Sequence, residues 1–591
     1  MESSVTIAAM DVGALVAELK RRRVFRALIG YGIAAFAVLQ IVEPIMHGLH
    51  WSEEVLSYVV VALAAGFPIV VGLAWIFDVT AGRIERTPPS GSRRGHLLPV
   101  LLGLSVLAAA PGLLYYFVFR GRPPPVQAVA PDTAGPSIAV LPLLNLSRDP
   151  EQDYFADGLA EELLDLLAKV PGLHVAARTS AFSFKGKNED VRSIAAKLQV
   201  STVLEGSVRK SGEQVRITTQ LISAANGYHL WSETYDRKLT DVFAVQDEIA
   251  KAVVAALRLK LLPAQVPTSK GHRTADPEVY TQYLFGRQFL SRSRHDGFVR
   301  AAQAFEKALA LDPSFAPAWA GLARALVWIA DSADTAQESD DERRRSEAAA
   351  EKAVALGPEL PEGYVARGFV RALVRFDWNG AAKDFERALA LSPEDADVNS
   401  EYAAVVLRPL GRLPEAIGFA RKAAELDPLN GRVWSVLGSL LLCNGQFGPA
   451  RDALNRSLEI NPEQAFAPGW LGVLLVLEGQ SAAALPVFAR STSEFLRLMG
   501  TAVAQHAAGH PKESQQALDA LIAGFGNNAA YQIAAAYAWR GESDRAFLWL
   551  ERARAQRDGG LTMLKTDPMV RGLRADPRYA AFLRTVNLTP D

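Results

Sequence analysis

Apolar residues recur along this chain with three rhythms. In the C-terminal half they return every three to four positions, as in AAQAFEKALAL (301–311), the spacing that lines one face of an α-helix. In the middle, TVLEGSVRKSGEQVRITTQLISAANGYHLWSETYDR (202–237) alternates in steps of two, with SGEQ and AANG at the points where the alternation breaks. That pattern predicts an antiparallel meander with two turns. Upstream of it, SIAVLPLLNLS (137–147) and HVAARTSAFSF (174–184) read as strands, and DYFADGLAEELLDLLAKV (153–170) and VRSIAAKLQV (191–200) as helices. DVFAVQDEIAKAVVAALRLKL (241–261) predicts a closing helix. Near the N-terminus, runs 24–46, 55–77 and 97–119 are almost uniformly apolar.

The helical half repeats. Pro358, Pro393, Pro428 and Pro462 close similar phrases at separations of 35, 35 and 34 residues. In the unit that opens at Gly431, anchors fall at Trp434, Leu437, Gly438, Leu441, Gly445, Ala450, Leu454 and Pro462. The same frame takes in Ala404, Gly411, Ala416 and Pro428 before it, and Gly472, Gly479, Ala484 and Phe488 after it. Period and anchors resemble the tetratricopeptide repeat (TPR), in which each helical hairpin buries its apolar face on the next. About eight hairpins fit between 263 and 591. Between Pro313 and Pro358 the spacing widens to 45, and DSADTAQESDDERRR there reads as a long turn or a helix extension with a solvated face.

Each apolar run is long enough to cross a bilayer, which takes about 20 residues. Together they predict a three-helix transmembrane anchor over 24–119. Lys20, Arg21, Arg22, Arg23 and Arg26 precede the first run, and Arg83, Arg86, Arg93 and Arg94 separate the second from the third, whereas HGLHWSEE (47–54) carries no Lys or Arg. The positive-inside rule then puts segment 1–23 in the cytoplasm and everything past Arg120 in the periplasm, as in a multi-pass protein of a bacterial inner membrane. Gln40, Glu43 and Asp78 lie near run ends, within reach of the interface. The Pro-rich segment 120–136 reads as an extended spacer.

The middle phrases SIAVLPLLNLSRDPEQDYFADGLAEELLDLLAKV, ARTSAFSFKGKNEDVRSIAAKL, VLEGSVRKSGEQVRITTQLI and GYHLWSETYDRKLTDVFAVQDEIA resemble the TolB amino-terminal-like domain that precedes TPR arrays in many bacterial signalling proteins. The resemblance implies an α/β domain over 137–262. It also implies a chain of three parts: a transmembrane α-helical anchor, an α/β domain and an all-α solenoid. Related chains often carry a nucleotide cyclase or winged helix-turn-helix head. Here only a short stretch precedes Arg21, so the resemblance implies the sensing or scaffolding part without that head.

Composition narrows the chemistry. With 63 basic and 64 acidic residues the net charge is −1, which offers nucleic acid no attractive field. Cys443 is the single cysteine, so no intrachain disulfide and no Cys-x-x-Cys zinc site can form. Lys185, Gly186 and Lys187 hint at phosphate binding, but Ala181 and Asn188 break the P-loop pattern. Asp149, Glu151, Asp153, Asp157, Glu161 and Glu162 cluster without the spacing of a cation loop, and acid near a helix start is favoured by the dipole alone. His506 and His510 stand four apart, but Ala507, Ala508 and Gly509 lie between them where a metalloprotease would have its glutamate. No catalytic residue, cofactor or metal is expected.

Binding candidates remain. His229 and Trp231, with Tyr228 and Tyr235, sit in a strand where packing accounts for them. In TPR geometry, positions 2, 5, 9, 12 and 13 of each first helix face a concave groove. That assigns Arg324, Trp328, Arg432, Ser435, Ser439, Asn528, Tyr531 and Trp539 as a groove for a protein or peptide partner, since Trp, Tyr and Arg dominate hot spots. Small apolar residues at equivalent positions leave self-association as the competing use. The expectation is a non-enzymatic, membrane-anchored adaptor, with a receptor subunit that signals to a separate output protein as the alternative.

Overall fold

This computed structural model describes residues 136–591, apart from 148, 150, 151, 258–273, 275, 292–294, 332–335 and 591, and further upstream only 31, 38, 63, 77–80 and 83–86. The chain divides into a unit of residues 1–129 and one of 130–591.

In the first unit, strand β1 (Phe77–Thr80) pairs antiparallel with β2 (Arg83–Arg86), so that Asp78 stands opposite Glu85 and Val79 opposite Ile84. Hydropathy alone had put Phe77 at the end of a membrane helix and Asp78 just past it. The β-branched residues of DVT and RIE favour the extended chain instead. The transmembrane anchor and the multi-pass inner-membrane location are corrected accordingly: among the described residues no helix is long and apolar enough to cross a membrane. Apart from Tyr31, Val38, Leu63 and Phe77, the three apolar runs lie outside the described residues.

The second unit begins with an α/β layer. Strands β3 (Ser137–Val140), β4 (Leu144–Asn145), β5 (His174–Val175), β6 (Thr202–Ser211), β7 (Gln214–Ser223) and β8 (His229–Lys238) form one sheet in the order β5-β3-β6-β7-β8, with β4 alongside β6. The β3 strand runs parallel to both neighbours and is buried at all four residues, which is why SIAV shows no alternation. From β6 to β8 the sheet is antiparallel. Helices α1 (Asp153–Ala168) and α4 (Val242–Ala256) bury Leu159, Leu163, Ile249 and Val253 in one core. A smaller cluster, with Ile194 and Leu198 of α3 (Val191–Leu198), packs Ala139 and Val203.

Two expected strands are interrupted. The first stops before Pro142, which lacks an amide for the ladder. The second pairs only through His174 and Val175, then turns into α2 (Arg178–Phe182), because Ser180 is drawn into a buried contact with a distant turn described below.

Sixteen helices follow as eight pairs among the described residues. The first four pairs are α5 (Pro277–Ser291) with α6 (His295–Leu311), α7 (Ala316–Asp331) with α8 (Ala336–Leu356), α9 (Pro361–Leu373) with α10 (Trp378–Leu391), and α11 (Ala396–Glu401) with α12 (Leu413–Leu426). α11 continues as a π-helical turn, Tyr402–Leu407. The next four are α13 (Gly431–Cys443) with α14 (Phe447–Ile460), α15 (Ala467–Leu477) with α16 (Ser481–Phe488), α17 (Glu494–Ala507) with α18 (Pro511–Phe525), and α19 (Ala530–Trp539) with α20 (Ser543–Gln556). Two 3-10 turns, Gly559–Met563 and Pro568–Leu573, and α21 (Pro577–Thr585) end the chain.

Small residues set the helix spacing. Phe488 of α16 lies against Gly472 of its own pair and Gly500 of the next, where a Cβ would collide with its ring. The charge run before Pro358 becomes the first half of α8, bridged within the helix by Asp340–Arg343, Asp341–Arg344 and Glu342–Arg345. The core of the α/β layer continues into the first pairs, where Tyr154 stacks on Phe285 with ring centroids 3.8 Å apart.

Candidate functional site

Part of the solenoid is covered by another stretch of the same chain. Ser435, Ser439, Arg408 and Cys443 are all buried, and burial pushes the Cys443 thiol up to about 12. The cover is the chain's own C-terminal segment after Gln556. Asp558 accepts from the amides of Tyr531 and Gly560 at 2.8 Å each. Asp567 accepts from the Tyr531 hydroxyl at 3.0 Å and from the Met569 amide at 2.8 Å, while burial raises its carboxyl above the usual carboxylate range against the opposing charge of Arg408. Leu561, Leu564, Met569, Val570, Tyr579, Phe582 and Val586 join the main solenoid core.

The segment then reaches back to earlier pairs. The Trp378 indole donates to the Val586 carbonyl at 2.8 Å, and the Asn587 amide to the Phe376 carbonyl at 3.2 Å. The Arg557 guanidinium lies 4.9 Å from the Phe376 ring centre, and Arg343 donates to the Gln556 carbonyl at 2.5 Å. Phe376 occupies a left-handed backbone conformation, φ +53°. It stands two residues before the second helix of its pair, the place held by Gly411, Gly445, Gly479, Gly509 and Gly541 in the five pairs that follow. A phenylalanine there is strained where glycine is not.

One charged group lies apart from this cover. Glu401, 1% exposed, accepts from Arg324 of α7 at 2.7 Å and from Arg432 of α13 at 3.4 Å, both at Oε1. Its Oε2 has no hydrogen-bond partner among the described residues. The Arg432 side chain is 52% exposed, and the Arg324 guanidinium also faces the Phe369 ring at 5.3 Å. The α/β layer closes nearby: Asp427 accepts from the Ser180 amide at 2.9 Å and from its hydroxyl, and the same hydroxyl accepts from the Leu429 amide at 2.9 Å.

The eight residues expected in a groove divide between these settings. Arg324 and Arg432 come together on Glu401. Trp328 is half-buried, 6.0 Å from Phe298 and 6.3 Å from Phe369 between ring centres. Ser439 accepts from Arg408 and donates to the Val436 carbonyl, and Ser435 is buried. Tyr531 is buried under the C-terminal segment, Trp539 is half-buried against the core, and Asn528 is exposed in the turn before α19. Sequence reading missed Glu401, Arg408 and Asp567. The signal for Asp567 was present in the aspartate-proline steps Asp567–Pro568 and Asp576–Pro577, which start short helices.

Several of the weaker candidates are packed or paired, but His229 is exposed rather than packed in its strand. Lys185 binds Asp157 at 2.6 Å in a turn with Gly186 at φ +72°, and Glu161 pairs with Arg178 and, at 2.8 Å, with Arg287. Tyr235 is buried and donates to Glu233 at 3.0 Å, whereas Tyr228 is exposed. His510 contacts Gln505 at 2.9 Å, and no group of three or more His, Cys, Asp or Glu residues able to hold a metal occurs among the described residues. Glu151 lies outside them.

Pairs of helices repeating every 34 or 35 residues, with glycine at the turn and small residues at the crossings, decide the architecture. The solenoid is of the tetratricopeptide type. No family profile matches the chain. It is 44% identical over 206 residues to a Rhizobium meliloti protein named "Putative adenylate cyclase 3", a match that covers 34% of this chain and 35% of that protein. It is 30% identical over 96 residues to human tetratricopeptide repeat protein 13, covering 16% of this chain and 11% of the relative. The chain therefore spans about a third or less of the length of these curated relatives. Among solved structures, that of Pseudomonas aeruginosa pilF is 17% identical with a TM-score of 0.29, over 38% of this chain and 98% of that one.

Proposed function

We propose that this chain is a non-enzymatic scaffold that holds a protein or peptide partner on its TPR solenoid, with Arg432 and Arg324 as the polar anchors. The observation that carries the reading is the Arg324–Glu401–Arg432 cluster. Two arginines from different helix pairs meet on one oxygen of a buried carboxylate, Arg432 is half open to solvent, and the second oxygen is unpartnered. An unpaired buried acceptor is costly, so a partner group that donates a hydrogen bond to the cluster gains by binding there. The TolB-like α/β layer serves in this reading as a platform that braces the solenoid through Ser180 and Asp427.

The test is selection of a displayed random peptide library on the full purified chain. Enriched sequences that bind the parent and lose at least about tenfold on Arg432→Ala, equal to 1.4 kcal/mol, support the reading. No enrichment, or enrichment indifferent to Arg432 and Arg324, refutes it.

A second reading rests on the 44% identity to a protein named as an adenylate cyclase. In it, the chain serves nucleotide signalling. Formation of cyclic AMP from ATP and magnesium by the purified chain would favour this reading over the first.

A further inference from the structure

We propose that the segment after Gln556 is a built-in occupant of the solenoid's inner face, latched at Phe376, and that its release uncovers a groove for a partner segment of the same chemistry. The inference rests on the scaffold reading above and deepens it.

Tyr531, Arg408 and Cys443 are buried beside one continuous stretch of the same chain, while Arg432 stays half open to solvent. That stretch contributes apolar side chains, Leu561, Leu564, Met569 and Val570 among them, and one carboxylate, Asp567, set against Tyr531 and Arg408. Arg408 keeps an unpartnered Nε among the described residues, so this end of the face still has donor capacity. A partner that replaces the segment would match it: a short apolar segment carrying an acidic residue.

The latch is marked by strain. Five pairs place glycine at their left-handed turn and one places Phe376 there. The ring and carbonyl of Phe376 are held by Arg557 and Asn587, both from the C-terminal segment. A residue that disfavours its own hairpin while contacting the segment couples the two, which is the property of a switch rather than of a cap. Asn587 is itself at φ +56°, so Asn587→Gly removes the amide donor without straining the backbone. Phe376→Gly restores the turn residue of the other pairs but also removes a buried ring that stacks on Trp378, so Asn587→Gly is the variant that tests the latch without a core cavity.

The experiment is hydrogen exchange on the full chain, wild type and both variants, together with binding of a labelled synthetic peptide of residues 557–591 added in trans. The expected result is exchange of amides in 559–573 through an opening that leaves α13 and α14 protected, about tenfold faster in either variant, with the peptide binding the variants more tightly than wild type. Exchange of 559–573 only together with α13 and α14 in all three proteins would overturn the proposal. So would failure of the peptide to bind either variant. Because neither readout uses an external partner, their failure leaves the Arg432-dependent selection standing, and failure of that selection leaves them intact.

Discussion

The Trp378 indole and the Val586 carbonyl, 208 residues apart in sequence, meet at 2.8 Å in a buried hydrogen bond. A repeat array ordinarily gains stability only from neighbouring units. This bond joins the third helix pair to the end of the chain, so the array closes on itself.

Trp378→Phe removes the donor and leaves the Val586 carbonyl buried and unpaired. The expected loss is about 1–3 kcal/mol, seen as a lower urea midpoint. Trp434→Phe is the control, because its bond to the Pro428 carbonyl is local to one repeat and its ring is half-buried. A cost for Trp378→Phe no greater than that of the control would contradict the closure.

Ser180 and Asp427 hold the α/β layer on the solenoid. Both are buried, and their contact spans 247 residues of sequence. Ser180→Ala deprives Asp427 of one donor and the Leu429 amide of its acceptor, a predicted loss of about 1–3 kcal/mol. A double-mutant cycle with Asp427→Asn measures the coupling, expected to exceed about 0.5 kcal/mol. Additive losses would assign the two residues to independent roles.

Stability has a defined pH slope. Burial, reinforced by the negative charge of Asp331, pushes Asp558 up to about 7, and burial with Asp397 nearby does the same for Asp395. An unfolded aspartate titrates near 3.9, so between these values the native chain binds more protons than the unfolded one. The contribution of these groups is therefore complete below about pH 4 and is lost as pH rises through about 7. The melting temperature is expected to be higher at pH 5.5 than at pH 8, and Asp558→Asn to flatten the difference. Equal melting temperatures in the wild type would refute the assignment.

Arg324 and Arg432 share Glu401 but differ in exposure. Arg432→Ala should cost less than Arg324→Ala, because Arg432 is half-exposed and its contact with the buried Glu401 is long, at 3.4 Å. Arg324→Ala removes the closer partner of a buried carboxylate and is expected to cost more than 1 kcal/mol. Chemical denaturation of the two variants distinguishes them, and the reverse order would contradict the geometry.

The repeat was legible because its signals are local: proline after the first five second helices, glycine at the turns of the last five pairs, and small residues where helices cross. The meander from Thr202 to Lys238 was legible for the same reason, since alternation survives when one face of a sheet is packed. What the sequence concealed depends on distant partners. HVAARTSAFSF alternates like a strand, but Ser180 is taken by Asp427 and the chain coils. FDVTAGRIER follows an apolar run, and the hydropathy average overrode its β-branched residues. Tyr531 has the position of a groove residue, yet Asp558 and Asp567 bury it, and nothing in the repeat period places the C-terminal segment there. Arg432 and Arg324 were singled out by repeat position alone, whereas their convergence on Glu401 was not legible, because it joins residues 77 and 31 apart in sequence.

The most direct measurement is the affinity of one library-selected peptide for the full chain and for Arg432→Ala, by titration calorimetry at matched pH and salt. The scaffold account predicts saturable binding by the parent and at least about tenfold weaker binding by the variant. Equal affinity for both proteins would contradict it.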